Sequence, residues 1–182
     1  GAIRYFLLAS HYRNPVNFSE AILAQSAAAL ERLQNCRENL AFRLENAGNA
    51  TDAPSLAAEA EQIMARKADF LAAMDDDFNT ANAIAVLFEI TRDINTLLKN
   101  ESVSADILRT LLGFYDELLG LFGFLPEEKT VDGDAEIEAL VAERTKAKKE
   151  KDYQKADELR ARLKEMGVTL EDTPQGTKWK KA

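Results

Sequence analysis

Apolar residues recur at three- and four-residue spacing through almost all of the first 125 residues. A helix can use that period and a strand cannot. A chain patterned this way has to bury one stripe of each helix against other helices. Ile3, Phe6, Leu7 and Ser10 place a short helix over residues 2–12, ended by Asn14-Pro15 because a residue before proline avoids the helical region. Ser19 is an N-cap for a long helix to about Ala47, with Ile22, Ala29, Leu30, Leu33, Cys36, Leu40 and Leu44 on its apolar side, and Gly48 closes it. After a polar loop at 49–55, Pro54-Ser55 opens a third helix that runs to the acidic break Asp75-Asp76-Asp77-Phe78-Asn79-Thr80. Asn79 or Thr80 caps a fourth helix to about Leu98, and Ser104 caps a fifth. The fifth is apolar around most of its circumference, from Ile107 to Phe122, which puts it at the centre of a bundle. Short connections make neighbouring helices antiparallel.

Residues 126–133, with Pro126 and Gly133, read as a linker between a helical bundle over 1–125 and a second unit over 134–182. In that second unit a helix near 134–149 turns at Lys149-Glu150-Lys151 into another near 152–166, with Ala156, Leu159, Leu163 and Met166 on its apolar face. Gly167 ends it, and Val168–Asp172, Thr173–Gly176 and Thr177–Lys180 read as strand, turn, strand. The fold class is therefore mainly α: an antiparallel helical bundle followed by a small α+β unit with a helical hairpin and a β-hairpin. The second unit is at the lower limit for a self-sufficient core.

The net charge of −8 hides an asymmetry. Residues 1–143 carry 11 Lys/Arg and 24 Asp/Glu, whereas residues 144–182 carry 12 and 7. A polyanion contact therefore belongs to the last forty residues. One histidine, His11, excludes every motif that needs two, and one cysteine, Cys36, excludes a disulfide framework or a thiolate zinc site. No GxxxxGKS/T or GxGxxG loop is present. Asp75–Asp77 lacks the spacing of a calcium loop and suits the start of a helix better than a metal. Cys36 reads as a small buried hydrophobe, and the expected home is a reducing cytoplasm, with no membrane segment.

Four segments resemble a known family. Ala2–Leu8 with His11-Tyr12-Arg13 resembles the "DALR" helix of class I aminoacyl-tRNA synthetase anticodon-binding domains, with Gly1 in place of the leading Asp. Phe70–Thr80, FLAAMDDDFNT, resembles the F-x-x-A-M-D-D-D-F-N-T signature of the same domain. Ile137–Arg144 resembles the start of the C-terminal extension of cysteinyl-tRNA synthetases. Lys151-Asp152-Tyr153, Ala156-Asp157, Gly167–Asp172, Gln175-Gly176-Thr177 and Trp179 resemble its second half. The resemblance implies part of an ATP-dependent ligase that joins cysteine to tRNA-Cys. It implies a monomer whose partners are tRNA-Cys, through its anticodon loop and stem, and the chain's own catalytic domain. ATP and zinc are expected in that catalytic domain and not here, so the segment is expected to be inactive alone, with no catalytic and no metal-binding residue. The resemblance also implies that Lys148, Tyr153, Asp157, Arg160 and Asp172 read the anticodon, with Lys where the family often has Arg and Tyr where it often has Trp.

Those residue types suit the task. Tyr153, Asp157 and Arg160 follow i, i+4, i+7 and share one helical stripe, offset from Ala156, Leu159 and Leu163. Anticodon bases are unstacked, so an aromatic can stack on one, a carboxylate can accept from guanine or cytosine, and an arginine can donate to guanine O6 and N7. Lys151 and Arg162 add attraction to phosphate, and Trp179 is a further candidate for stacking, although a hairpin packing role suits it better. Two other classes remain open. A helical protein–protein adaptor would expose a sizeable apolar patch on the bundle. A carboxylate enzyme would build a pocket at Asp75–Asp77.

Overall fold

The structure is a computed structural model that describes residues 1–47, 54–126, 134–173 and 176–181. The chain divides into two compact units, Gly1–Pro126 and Glu127–Ala182.

Among the described residues the first unit holds six helices: α1 (Ala2–Leu8), α2 (Glu20–Glu45), α3 (Pro54–Ala65), α4 (Lys67–Asp75), α5 (Thr80–Leu97) and α6 (Ala105–Phe122). Their starts follow local chemistry. Ser19 Oγ accepts from Ile22 N at 3.2 Å, Asn79 Oδ1 from Asn82 N at 3.1 Å, and Ser104 Oγ from Ile107 N at 3.3 Å. Pro54 takes the first position of α3, where a missing N–H costs nothing. Gly123 ends α6 at φ 62, and Arg4 reaches across to donate to its carbonyl at 2.6 Å. A side chain at 123 would meet both the left-handed backbone and that guanidinium.

The expected elements change in three places. The first helix stops at Leu8 and not near residue 12, because the Leu8 carbonyl is taken by Thr80 Oγ1 at 2.7 Å. The expected third helix is two, α3 and α4, meeting at Arg66, whose guanidinium is drawn to Asp93 and Glu89 of α5, 2.8 Å each. Helix α6 is one-sided: Leu121 is exposed and Leu112 and Phe114 are half-buried, while Ile107, Leu108, Leu111, Tyr115, Leu118, Leu119 and Phe122 are buried. The expected stop at Gly48 and most of the 49–55 loop lie outside the described residues.

Helix α2 packs against α1, α5 and α6. The core joins Leu33, Cys36 and Leu40 of α2, Phe70 of α4, Leu87, Ile90 and Ile94 of α5, and the buried row of α6. Each such side chain contributes about 1.5–3 kcal/mol by leaving water. Tyr5, Phe124, Phe122 and Phe70 form a chain of tilted rings 5.4–5.5 Å apart. Polar groups inside this core are satisfied: Tyr115 Oη lies 2.7 Å from Thr91 Oγ1 and donates to Leu33 O at 3.3 Å. Cys36 is sealed in, and burial pushes its thiol up to about 12, which makes it inert.

The second unit is a helical hairpin, α7 (Asp134–Lys149) and α8 (Tyr153–Glu165), followed by an antiparallel pair, β1 (Val168–Thr173) and β2 (Gly176–Lys181). The register sets Leu170 opposite Trp179 and Asp172 opposite Thr177. Its core is small: Ile137, Leu140 and Val141 of α7, Leu159 and Leu163 of α8, and Val168 of β1, with Leu170 and Trp179 packed against them. Among the described residues no helix is long and apolar enough to cross a membrane.

Candidate nucleic-acid interface

The α7–α8 turn sets the direction of the site. Lys151 takes φ 62, a left-handed conformation that glycine usually fills. The turn is closed by Lys151 N to Lys148 O at 3.2 Å and Asp152 N to Ala147 O at 2.9 Å, the pair that commonly ends a helix with a left-handed residue. Asp152 then caps α8, its Oδ1 accepting from Lys155 N at 3.2 Å. Tyr153 is the first residue of α8 and is 64% exposed. Among the described residues its ring has no stacking partner and its hydroxyl no hydrogen bond. Asp157 and Arg160 are exposed one and two turns further on, and Arg160 has no ion pair among the described residues. Ala156, Leu159 and Leu163 hold the opposite face in the core. The stripe is thus presented to solvent by the packing of its own helix.

Lys148 and Asp172, expected as two separate readers, are bonded to each other at 2.9 Å. Asp172 also receives a two-pronged contact from Arg144, Nη1 to Oδ1 and Nη2 to Oδ2 at 2.9 Å each. The Thr177 hydroxyl, directly opposite in the hairpin, donates to Oδ1 at 2.8 Å. A carboxylate offers about four acceptor sites, and four donors occupy them here. Arg144 foremost, then Lys148, holds the Asp172 carboxyl far below the ordinary carboxylate range. The Asp172 side chain is nevertheless 44% exposed, and so is that of Lys148 at 43%. Arg144 is only 4% exposed. Its own acidity is weakened mainly by the hydrogen bonds to Asp172, with Asp157 adding attraction.

Arg144 escaped sequence reasoning, although one signal was available. It lies on the stripe Ile137, Leu140, Val141, Arg144, Ala147, where every other member is apolar and buried. A lone cation on a core stripe calls for an acceptor to pair with it, and Asp172, itself 44% exposed, is that acceptor. The remaining candidates are placed as follows. Lys151 is exposed in the turn. Arg162 is exposed and pairs with Glu136 at 3.0 Å. Trp179 is half-buried and packs with Leu170 on the small core.

In the first unit, Asp77 and Phe78 adopt φ 54 and 53 after α4 ends. Asp77 accepts from Tyr12 Oη and pairs with Arg13, 2.9 Å each, so the acidic break ties down the segment after α1. Among the described residues no group of three or more His, Cys, Asp or Glu is placed to hold a metal ion.

Residues 69–126 match the DALR domain, and residues 130–179 match the cysteinyl-tRNA ligase anticodon binding domain. Cysteine–tRNA ligases of Bacillus pumilus, Clostridioides difficile and Shouchella clausii are 40%, 42% and 43% identical over 181, 182 and 183 residues. Each alignment covers 98% of this chain, which spans 38% of the length of these relatives. Residues 69–126 therefore belong to the DALR domain family and residues 130–179 to the cysteinyl-tRNA ligase anticodon binding domain family.

Proposed function

We propose that this chain is the tRNA-binding, anticodon-recognising part of a cytoplasmic cysteine–tRNA ligase, the enzyme that attaches cysteine to tRNA-Cys with ATP. The observation that carries this reading is the exposed Tyr153, Asp157, Arg160 stripe, its ring unstacked and its guanidinium without an ion pair among the described residues, inside the segment that matches the anticodon-binding family. Tyr153 stacks on one splayed base. Arg160 donates to a guanine edge, and Asp157 accepts from an amino or imino group. Lys151, Arg162 and neighbouring lysines draw in the phosphates.

Asp172 and Lys148 act as a pair. With four donors already on the carboxylate, a base can reach Asp172 only by displacing one of them. Arg144 is buried and Thr177 is fixed by the strand register, so Lys148 is the donor that leaves, and a phosphate can then receive it. ATP and zinc chemistry belongs to the catalytic domain of the whole ligase. The bundle's exposed Ile3, Leu7 and Phe18 offer that domain an apolar contact. Anticodon contacts then hold the distant acceptor end in place for the reaction, so they raise rate as well as affinity. The unit 1–125 serves as scaffold, and the unit 134–182, after the linker, as reader.

Titration of the chain with tRNA-Cys, and with the same tRNA altered only in the anticodon, tests this. Tyr153→Ala should weaken tRNA-Cys binding by about 1–3 kcal/mol. Arg160→Ala should narrow the gap between the two tRNAs. Equal affinity of the unaltered chain for both tRNAs would sink the reading.

A further inference from the structure

Among the described residues the C-terminal unit has three ion pairs exposed on both sides: Lys146 with Glu150, Lys155 with Glu143 and Arg162 with Glu136. Such pairs contribute little to stability. Asp172 is held differently, and its two oxygens differ from each other. Oδ1 accepts from Arg144 Nη1 at 2.9 Å and from the Thr177 hydroxyl at 2.8 Å, Thr177 being its register partner on β2. Oδ2 accepts from Arg144 Nη2 and from Lys148, 2.9 Å each. Oδ1 is therefore anchored by a buried guanidinium and a residue of the strand ladder. Oδ2 shares the guanidinium, and its second donor is a half-exposed lysine on a flexible stem. Packing alone does not account for the arginine. Its Nε is buried without a hydrogen-bond partner among the described residues, a cost that an apolar side chain on the same stripe would avoid. Asp157, an expected reader on α8, adds attraction to the same guanidinium. One buried cation on α7 is thus drawn to carboxylates from both β1 and α8.

The geometry points to Arg144 as a positioning residue for base recognition: with Thr177 it fixes the Asp172 carboxylate so that Oδ2 is the oxygen offered to a nucleobase. The inference rests on the proposed reading of the anticodon and adds a residue that touches no base itself. A fork of two parallel N–H bonds sets the plane of a carboxylate, which a single point charge does not. It also keeps the Asp172 carboxyl ionised, and an ionised carboxylate only accepts. Once Lys148 is displaced, Oδ2 takes an amino or imino N–H of a base and repels a keto edge in the same place. Without the fork the carboxylate turns, and the choice between the two kinds of edge weakens.

The test is the full chain carrying Arg144→Lys, which keeps the charge and loses the fork. It is titrated with tRNA-Cys and with three tRNAs, each altered at one anticodon position. Asp172→Asn marks the position that the carboxylate reads, where discrimination should fall about tenfold. Arg144→Lys should lose discrimination at that same position, by about threefold or more, and keep it at the other two. The double variant should discriminate no worse than Asp172→Asn alone, since the arginine acts through the carboxylate. Thr177→Val, which removes the other Oδ1 donor, should show a smaller loss at the same position. Loss spread evenly over the three positions would overturn the inference, because a merely loosened fold produces that. Full discrimination in Arg144→Lys, or additive losses in the double variant, would also overturn it. If Trp179 fluorescence shows Arg144→Lys to be unfolded, Thr177→Val decides, and full discrimination there overturns the inference. An Asp172→Asn chain that still discriminates at every position overturns it too, while a damaging Tyr153→Ala spares the anticodon reading. An unaltered chain that binds all four tRNAs equally removes that reading, and the inference with it.

Discussion

The two units reach order by different means. The bundle joins buried side chains from six helices into one apolar core, and most of its ion pairs are half-exposed accessories around it. The C-terminal unit has six buried apolar side chains at its centre, and one buried guanidinium links its first helix to its hairpin. A large core tolerates the loss of any one polar contact. A small one cannot, because a single hydrogen-bonded charge pair is comparable to its whole margin. The stabilising network of the small unit is also part of its proposed reading surface, whereas the bundle separates core from surface.

The largest effect should come from emptying the bundle core. Phe70→Ala removes a fully buried ring from the aromatic chain and should cost about 3–5 kcal/mol. The single tryptophan, Trp179, lies in the other unit, so its fluorescence follows that unit while helical circular dichroism mostly follows the bundle. In urea, Phe70→Ala should shift the circular-dichroism transition and leave the Trp179 transition in place. A common shift would show that the two units unfold as one.

Arg144→Ala should do the reverse and lower the Trp179 transition by about 2–3 kcal/mol. Lysine at 144 should recover part of this, since it replaces the charge but not the fork. The same network fixes a pH dependence. The folded-state carboxyl of Asp172 lies far below its unfolded value, so its contribution is complete above about pH 4 and is lost as the pH falls further. Asp172→Asn should flatten that acid limb for Trp179 alone. If the limb is unchanged, other carboxylates carry it.

The smallest effect is at the turn. Lys151→Gly relieves a left-handed backbone and should raise the Trp179 midpoint, by about 0.5–1 kcal/mol. A fall in the midpoint would mean that the lysine side chain contributes more than the strain costs.

Much of the fold could be read from residue order alone. Ser19, Asn79 and Ser104 mark helix starts because a cap is a local bond within three residues. The division at Arg66 could not be read, because the apolar pattern runs on through it and its cause lies 23 and 27 residues away on α5. The Tyr153 stripe was legible for the same reason as the caps, since helical spacing fixes a shared face. The pairing of Lys148 with Asp172 was not, because it spans 24 residues and depends on how the hairpin folds back on α7.

The full occupancy of the Asp172 carboxylate gives the protein an internal competitor. On the proposed reading, a nucleotide arriving there would have to displace a tethered ammonium that never diffuses away, and one without a suitable donor would leave the resident contact standing. Discrimination would then need no steric clash: the fold would set the threshold itself, and the displaced lysine would become a new hold on the proposed RNA partner once the threshold is crossed.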